Sequence, residues 1–315
     1  MPATRSAPWP GMTRRTFLRT VAAAGTLPLW GPAASLAAGP GIHTKPIPGS
    51  GERIPVIGMG SWITFNVGRD PELRAHRVKV LRAFFEGGGG MIDSSPMYGS
   101  SEAVIGHGLR RLGFPDTTFA ATKVWHMLTD AGEEQMAESR ELWGVDRFDL
   151  MQVHNLVNWE GHLATLQADR EAGRIRYIGA TTSHGRRHDE MARVMAEQPL
   201  DFAQFTYNIL DREAENRLLP LAAERGIGVI ANRPFRRKAL IRRFEGHPLP
   251  DWAGKIGVAN WPQFLLKFIV SHPAVTCAIP ATSRIDHMRE NMGALQGPLP
   301  DAELRRRMVA YVEGL

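Results

Sequence analysis

Between residues 43 and 313 short apolar runs alternate with longer stretches of helical spacing, and this alternation limits the fold more than any other property of the chain. The runs are "VIGMGSW", "MIDSS", "TFAATKVW", "FDLMQVHN", "RYIGATTS", "DFAQFTYN", "IGVIANRPF" and "VTCAIPATS". Each is too short and too apolar to leave one face in water. Strands of that kind, separated by helices, belong to a parallel sheet covered on its outside. About eight such units in roughly 275 residues predict a closed (β/α)8 barrel of the TIM type. A short N-terminal β-hairpin, "HTKPIPGSGERIPVIG", turns at Pro48-Gly49-Ser50-Gly51, and an extra C-terminal helix spans 301–313. The rival, an open Rossmann sheet, requires a third glycine after the first strand and an immediate helix; "IGMGSW" provides neither.

The helices are predicted over 71–86, with Val78, Leu81, Phe84 and Phe85 on one face, then over 102–112, 130–143, 160–172, 188–197 and 213–225. Two more follow in "WPQFLLKFIVSH" and "RIDHMRENMGAL".

The first forty residues are of another kind. "MTRRTFLRTVAAAGTLPLWGPAASLAAGP" joins Arg14 and Arg15 to a modest apolar run and then to small residues. Gly25, Pro28, Gly31 and Pro32 interrupt the run, so it makes a poor membrane span and no stable membrane anchor is expected. Residues 1–38 resemble a twin-arginine (Tat) export signal with cleavage after Ala37 or Ala38, and with Met12 as an alternative start. The other reading is a basic tail with an amphipathic patch. The expected domains are therefore a signal over 1–38 and a barrel over 39–315. The expected location is the periplasm or beyond, and the Tat machinery is an expected partner.

Removing that segment changes the meaning of the charge. The formal +6 includes Arg5, Arg14, Arg15 and Arg19 with no acid among the first 37 residues, which leaves 34 basic against 32 acidic residues. No basic stripe interleaved with aromatics follows, so nucleic acid is not an expected partner. One basic cluster, Arg233, Arg236, Arg237, Lys238, Arg242 and Arg243, is a candidate phosphate contact. A single cysteine, Cys277, excludes an internal disulfide framework and a cysteine-based metal site.

Three polar residues close three successive apolar runs: Asp93, Lys123 and His154. In a barrel of this kind the C-terminal strand ends open onto one face, so the three converge, and Tyr98 on the loop after Asp93 reaches the same place. Taken singly, a strand-end lysine reads as a surface residue and a lone histidine as a structural one; the joint placement reads as chemistry. A free phenol, with pKa near 10, is a poor acid at neutral pH. An ammonium beside it is expected to lower that value, with Asp93 as the counter-ion of a partly buried Lys123. His154 can donate to a carbonyl oxygen and polarise it. Such a site holds a proton but no electrons, which points to a nicotinamide hydride carrier. One histidine and one carboxylate with a lysine between them do not make a metal site, so no metal is expected.

The segments "MIDSSPMYGSSEAVIGHGL", "ATKVW" and "MQVHN" resemble, in order and spacing, the catalytic segments of the aldo-keto reductases. "LQADREAGRIRYIGATTS" and "AIPATSRIDHMRENMGAL" resemble further segments of that family, so the likeness covers residues 43–296. It implies that Tyr98 is the proton donor, that His154 orients the carbonyl and that Asp93 with Lys123 tunes Tyr98. For the cofactor it implies Thr181 and Thr182 where the family has Ser-Asn, and Gln204 on the nicotinamide carboxamide. Asn232 replaces the stacking aromatic, and Arg233 lies either over the ring or against the pyrophosphate. Thr282, Ser283, Arg284 and His287 fall where the family reads the adenosine 2′-phosphate, and Glu290 and Asn291 where it contacts adenine. NADPH is expected, with NAD second. Thr282 or Ser283 also suits the cap of the following helix.

The resemblance therefore implies an NADP-dependent oxidoreductase acting on an aldehyde, ketone or sugar carbonyl. The alternatives are a non-catalytic NADP-binding or scaffold barrel and, third, a metal-dependent hydrolase or lyase. Because the twin-arginine route carries folded proteins, export implies cofactor loaded beforehand and tightly held, or a natural reaction other than simple NADPH-linked reduction. Specificity is expected from the segments 62–67, 125–128, 155–159 and 236–252, with Trp62, Trp125 and Trp159 as candidate pocket walls.

Overall fold

The structure, a computed structural model, describes residues 41–315; the segment read as an export signal lies outside the described residues. Two short strands, β1 (Thr44–Pro46) and β2 (Arg53–Pro55), pair antiparallel as the expected hairpin. Eight parallel strands follow: β3 (Met59–Gly60), β4 (Met91–Asp93), β5 (Phe119–Val124), β6 (Phe148–Val153), β7 (Ile175–Thr181), β8 (Phe202–Thr206), β9 (Gly228–Asn232) and β10 (Val275–Ala278). Each pairs with the next in chain order. Parallel bridges from Ile57 to Ala278 and from Gly60 to Ala281 join the last strand to the first, so the eight strands form the predicted barrel.

β3 is only two residues long, and Gly58 just before it and Gly60 within it explain how it closes the seam. A Cβ on Gly58 would lie 2.9 Å from the Met91 carbonyl oxygen, and one on Gly60 would lie 3.0 Å from that of Ile279. The backbone must pass there without a side chain.

Period-two alternation sorts each strand into an inward and an outward set. Met91, Phe119, Ala121, Leu150, Tyr177, Phe202, Ile230 and Cys277 meet inside the barrel, and Ile47 and Ile54 of the hairpin join them from below. The outward set packs against the helices in a second, larger core. At the hairpin end Arg176 pairs with both Glu52 and Asp149, and the Tyr177 hydroxyl donates to Glu52 at 2.6 Å. The opposite end, above the apolar layer, is therefore where inward side chains become polar.

The first helix, α1 (Pro71–Glu86), starts where Asp70 accepts the Leu73 N–H at 2.9 Å and Pro71 occupies the first turn. Its buried face runs through Arg77, Val80, Leu81, Ala83 and Phe84; Val78 and Phe85 are only half-buried, so the expected stripe is rotated. The predicted 213–225 helix is split into a 3-10 turn, Glu213–Glu215, and a helix over Leu218–Arg225. Pro220 lacks an N–H and belongs in a first turn, which sets the later start. The long β9–β10 connection adds a short helix over Ala239–Phe244 and a 3-10 segment over Asp251–Ile256 before the helix Trp261–Val270. Beyond the barrel, the extra C-terminal helix Ala302–Glu313 is capped by Asp301 through the Leu304 N–H. Among the described residues no helix is long and apolar enough to cross a membrane.

Candidate active site

Four strands, β4, β5, β6 and β8, deliver the polar cluster. Asp93 ends β4, Lys123 is the fifth residue of β5, Gln152 the fifth of β6, and Gln204 the third of β8. All point inward by the same alternation that places Phe119, Leu150 and Phe202 beneath them. Lys123 Nζ lies 2.5 Å from Asp93 Oδ2 and donates to the Ser94 carbonyl at 2.7 Å. Asp93 Oδ1 accepts from Gln152 Nε2 at 3.0 Å and from Gln204 Nε2 at 2.9 Å. The carboxylate and the ammonium are both buried, and each is satisfied by groups held in the strands.

Tyr98 reaches this pair from the short 3-10 turn Pro96–Tyr98. Its ring faces Lys123, with Nζ 5.3 Å from the ring centroid, and meets the His154 ring edge-on at 5.7 Å. His154 follows β6 directly and is buried, and its Nδ1 lies 2.9 Å from the Ser95 hydroxyl. The loop behind it, Asn155 and Leu156, takes positive φ and is held by the Asn155 N–H on Thr181 Oγ1 at 3.0 Å. Burial, aided by the Lys123 charge, pulls the His154 imidazole well below its ordinary pKa. The ring is neutral at physiological pH.

The tyrosine departs from expectation. Burial first, and the Asp93 charge second, raise the phenol above its ordinary value rather than lowering it. Burial of the phenol, together with the nearby Asp93 carboxylate, outweighs the ammonium beside it. Tyr98 thus keeps its proton at neutral pH.

A cleft of about 700 Å³ opens over the cluster, and Trp62, Asp93, Tyr98 and His154 lie in its wall. Thr181, Thr182, Gln204, Asn232 and Arg233, singled out from sequence for the cofactor, line it as well. Thr182 Oγ1 is buried and has no hydrogen-bond partner among the described residues. The Thr182 carbonyl accepts from Asn232 Nδ2 at 2.9 Å, and Asn232 Oδ1 accepts from the Thr206 hydroxyl at 2.8 Å. Gln204 is already engaged on Asp93, and Arg233 donates to His184 Nε2 at 2.5 Å.

The rim is cationic. Among the described residues lining the cleft Asp93 is the one carboxylate, whereas Arg186, Arg187, Arg233, Arg237 and Lys238 all border it. Arg236 and Arg187 are paired to Asp211 and Glu190. Arg237 lies with its guanidinium 4.8 Å from the centroid of the Trp62 ring. The backbone here is unusual: Arg233, Arg236, Arg237 and Lys238 have φ of 53°, 44°, 56° and 74°. Each non-glycine residue in that region costs about 1–2 kcal/mol, a strain found mainly at ligand-handling segments.

The six residues singled out for the cofactor after β10 stand apart from the cleft wall. Ala281 lines it, but Thr282, Ser283, Arg284, His287, Glu290 and Asn291 do not. The helix Ile285–Met292 is not capped as expected: Arg284 is its N-cap, and Thr282 Oγ1 instead accepts the Arg284 N–H at 3.1 Å. The Arg284 guanidinium is bound twice by Asp286. The Ser283 carbonyl meets His76 Nε2 at 3.0 Å, His287 is half-buried, the Glu290 carbonyl accepts from Gln263, and Asn291 is buried. Of the three tryptophans considered as pocket walls, Trp62 lines the cleft and Trp125 and Trp159 do not.

Among the polar side chains of the site that went unremarked in the sequence are Ser95 and Gln152, along with His184, Arg186 and Arg187 of the rim. The first two sit two residues from a recognised one, Ser95 after Asp93 and Gln152 before His154. For them the period of a strand was the available signal.

The comparisons with known proteins agree with this architecture. Methylglyoxal reductase YeaE of Escherichia coli (strain K12) is 28% identical over 283 residues, covering 86% of this chain and 96% of that protein. The NADH-specific methylglyoxal reductase of the same organism is 25% identical over 303 residues, covering 78% and 88%. A crystal structure of an aldo/keto reductase from Klebsiella pneumoniae in complex with NADP and acetate has the same fold, with a TM-score of 0.71 at 24% identity and coverage of 84% and 93%. The sequence profile of the Aldo/keto reductase family matches residues 56–308, from the first barrel strand to the C-terminal helix, and the chain belongs to that family.

Proposed function

We propose that this chain is an NADPH-dependent reductase of small carbonyl compounds, 2-oxoaldehydes among them, with Tyr98 as the proton donor. The observation that carries this reading is the Asp93–Lys123 pair buried against the face of a phenol that keeps its proton, beside a neutral imidazole, in the floor of an open cleft. Both Escherichia coli relatives are named for reducing methylglyoxal, a small 2-oxoaldehyde.

The residues present fit a nicotinamide dinucleotide. The unpartnered buried hydroxyl of Thr182 offers a hydrogen bond to an amide-bearing ring, next to Thr181, Gln204 and Asn232. Arg233 and the cationic rim suit the diphosphate. Thr282, Ser283, Arg284 and His287 suit the adenosine 2′-phosphate, and Glu290 and Asn291 the adenine. When bound, the nicotinamide supplies the hydride that a carbonyl carbon accepts.

The chain's own residues do the rest. His154 donates its ring N–H to the substrate oxygen, orienting and polarising it. Tyr98 then passes its proton to that oxygen as negative charge develops there. The phenolate left behind is stabilised by Lys123, which Asp93 keeps charged and in place. A scaffold with no catalytic role would have no need of a buried ion pair at this depth, where desolvation is costly.

Tyr98→Phe tests the assignment. Turnover of methylglyoxal with NADPH is expected to fall by about 10²–10⁴-fold, while NADPH binding, followed by quenching of tryptophan fluorescence, stays within twofold. A variant that turns over at the parent rate would end the proposal.

We also propose that residues 1–38, with Arg14 and Arg15, send the folded chain by the twin-arginine route to the periplasm, where the loaded cofactor stays bound. Protein taken from a periplasmic extract is expected to carry stoichiometric nucleotide. Finding it cytoplasmic, or empty and exchanging nucleotide at micromolar affinity, would count against this part.

A further inference from the structure

The opening of the 3-10 turn that carries Tyr98 and the ring of His154 share one hydroxyl. Ser95 sits in an extended backbone, φ −165° and ψ 148°, ahead of Pro96, and its Oγ accepts the Met97 N–H at 3.2 Å. The same Oγ lies 2.9 Å from His154 Nδ1, 59 residues away in sequence, and the Ser95 side chain is fully buried. We infer that Ser95 is a positioning residue: its O–H donates to His154 Nδ1, locks the imidazole as the Nε2–H tautomer, and ties that ring to the turn bearing Tyr98.

The direction of the bond follows from counting donors and acceptors. A serine hydroxyl has one proton to give and lone pairs to receive. The Met97 N–H occupies a lone pair. Among the described residues, His154 Nδ1 is the one acceptor that Ser95 Oγ meets. If Nδ1 carried the ring proton and donated to Oγ, the serine's own proton would be buried without a partner, which is costly. With the serine donating, both buried groups are satisfied and the single N–H of the neutral ring falls on Nε2. His154 is itself part of the cleft wall, so this is the nitrogen left for a ligand. The Nδ1–H tautomer would present a lone pair to the substrate oxygen instead and repel it.

Ser95 also fixes distance. The Tyr98 N–H donates to the Ser95 carbonyl at 2.9 Å, so the residue holds the turn by its side chain and its backbone together. Moving the hydroxyl would loosen the first turn before Tyr98 and release the His154 ring in one step. The inference rests on the reading of His154 as the group facing the carbonyl, yet the tautomer itself is independent of activity.

The test is nitrogen NMR of protein labelled with 15N-histidine, with the His154 signals assigned by His154→Gln. In the parent protein at pH 7.5 the expected pattern is a protonated Nε2 and an unprotonated Nδ1. Ser95→Ala should lose that preference, giving mixed tautomers or Nδ1–H, and should lower kcat about 10-fold with the KM for NADPH unchanged. Ser95→Thr keeps a hydroxyl on a backbone that suits a β-branched residue and should restore the Nε2–H pattern. An Nδ1–H ring in the parent protein, or an unchanged tautomer in Ser95→Ala, overturns the inference. If the tautomer responds as expected but His154→Gln still turns over at the parent rate, the fault lies with the catalytic reading of His154 and not with the role of Ser95.

Discussion

Lys123 Nζ and Asp93 Oδ2 lie 2.5 Å apart in the barrel interior, and neither side chain has appreciable contact with solvent. Lys123 has one further acceptor, the Ser94 carbonyl, whereas Asp93 has two further donors, Gln152 and Gln204. Breaking a buried pair by removing one partner typically costs about 3–5 kcal/mol, because the other charge is left without compensation. Lys123→Met and Asp93→Asn are each expected to lower stability by that order in urea unfolding. The double variant should be more stable than the sum of the two losses implies, since it removes both charges. Strictly additive losses would mean that the two groups are not coupled.

The pH profile of reduction should be flatter than tyrosine and histidine usually allow. Tyr98 acts in its protonated form, and its pKa lies above the ordinary value of about 10, so ionisation of Tyr98 removes no activity below that pH. His154 acts in its neutral form, and its pKa lies well below 6.5, so that form persists as the pH falls through 6.5. The kcat/KM for a neutral aldehyde should therefore show neither limb between pH 6.5 and about 10. Stability carries the same sign at the acid end. The unfolded chain takes up the His154 proton first, near 6.5, so the contribution of a neutral buried ring is present above that value and is lost as pH falls toward the folded pKa. His272, drawn down to about 4 by burial and by Arg305, adds to it. Urea midpoints measured from pH 7 to 5 should decline; a rise would contradict both assignments.

Much of this site was legible in the sequence because a barrel strand has period two and ends at a common face. An apolar run with a charged residue near its end, as "AATKV" has in Lys123, announces both the strand and its open end. The same rule gave the location of Asp93, Tyr98 and His154 without their bonding. Ser95 and Gln152 were within reach of that rule, but their partners were not. A serine 59 residues from its histidine, or a glutamine 59 residues from its aspartate, is matched only by the joint register of β4, β5 and β6. The left-handed run at Arg236, Arg237 and Lys238 was invisible for a different reason: arginine and lysine give no local signal for positive φ. The helix cap after β10 was misread because Thr282 bonds the N–H two residues on, ahead of the helix, rather than one inside it. Lowering of the Tyr98 pKa was wrongly expected because the burial of the phenol, the largest influence on it, was left out.

Thr182→Val separates a structural hydroxyl from one that waits for a ligand. Thr182 Oγ1 is buried and unpartnered, so replacing it by a methyl removes a desolvated polar group with no bond to lose. Thermal unfolding of the nucleotide-free protein should be unchanged or raised, by about 1 kcal/mol at most. If the hydroxyl meets the nicotinamide amide, the Kd for NADPH rises about 2–10-fold, the weight of one hydrogen bond. Both numbers come from the same preparation by a melt and a fluorescence titration. An unchanged Kd would remove Thr182 from the cofactor site.

Arg284 raises a question of preference between the two nicotinamide dinucleotides. Its guanidinium is held by Asp286 on the first turn of the same helix, and that pairing raises the arginine's pKa and lowers the carboxylate's. Both groups are well exposed, so the pair contributes little to folding. A 2′-phosphate approaching Arg284 must compete with a carboxylate already in the bidentate position. Asp286→Asn is therefore expected to tighten NADPH about 3-fold at low salt, where exposed charges are least screened, and to leave NADH unchanged. Arg284→Ala should weaken NADPH and again spare NADH. Equal effects of Asp286→Asn on the two nucleotides would show that the phosphate is read elsewhere, with the unpaired cations of the β9 loop as the next residues to test.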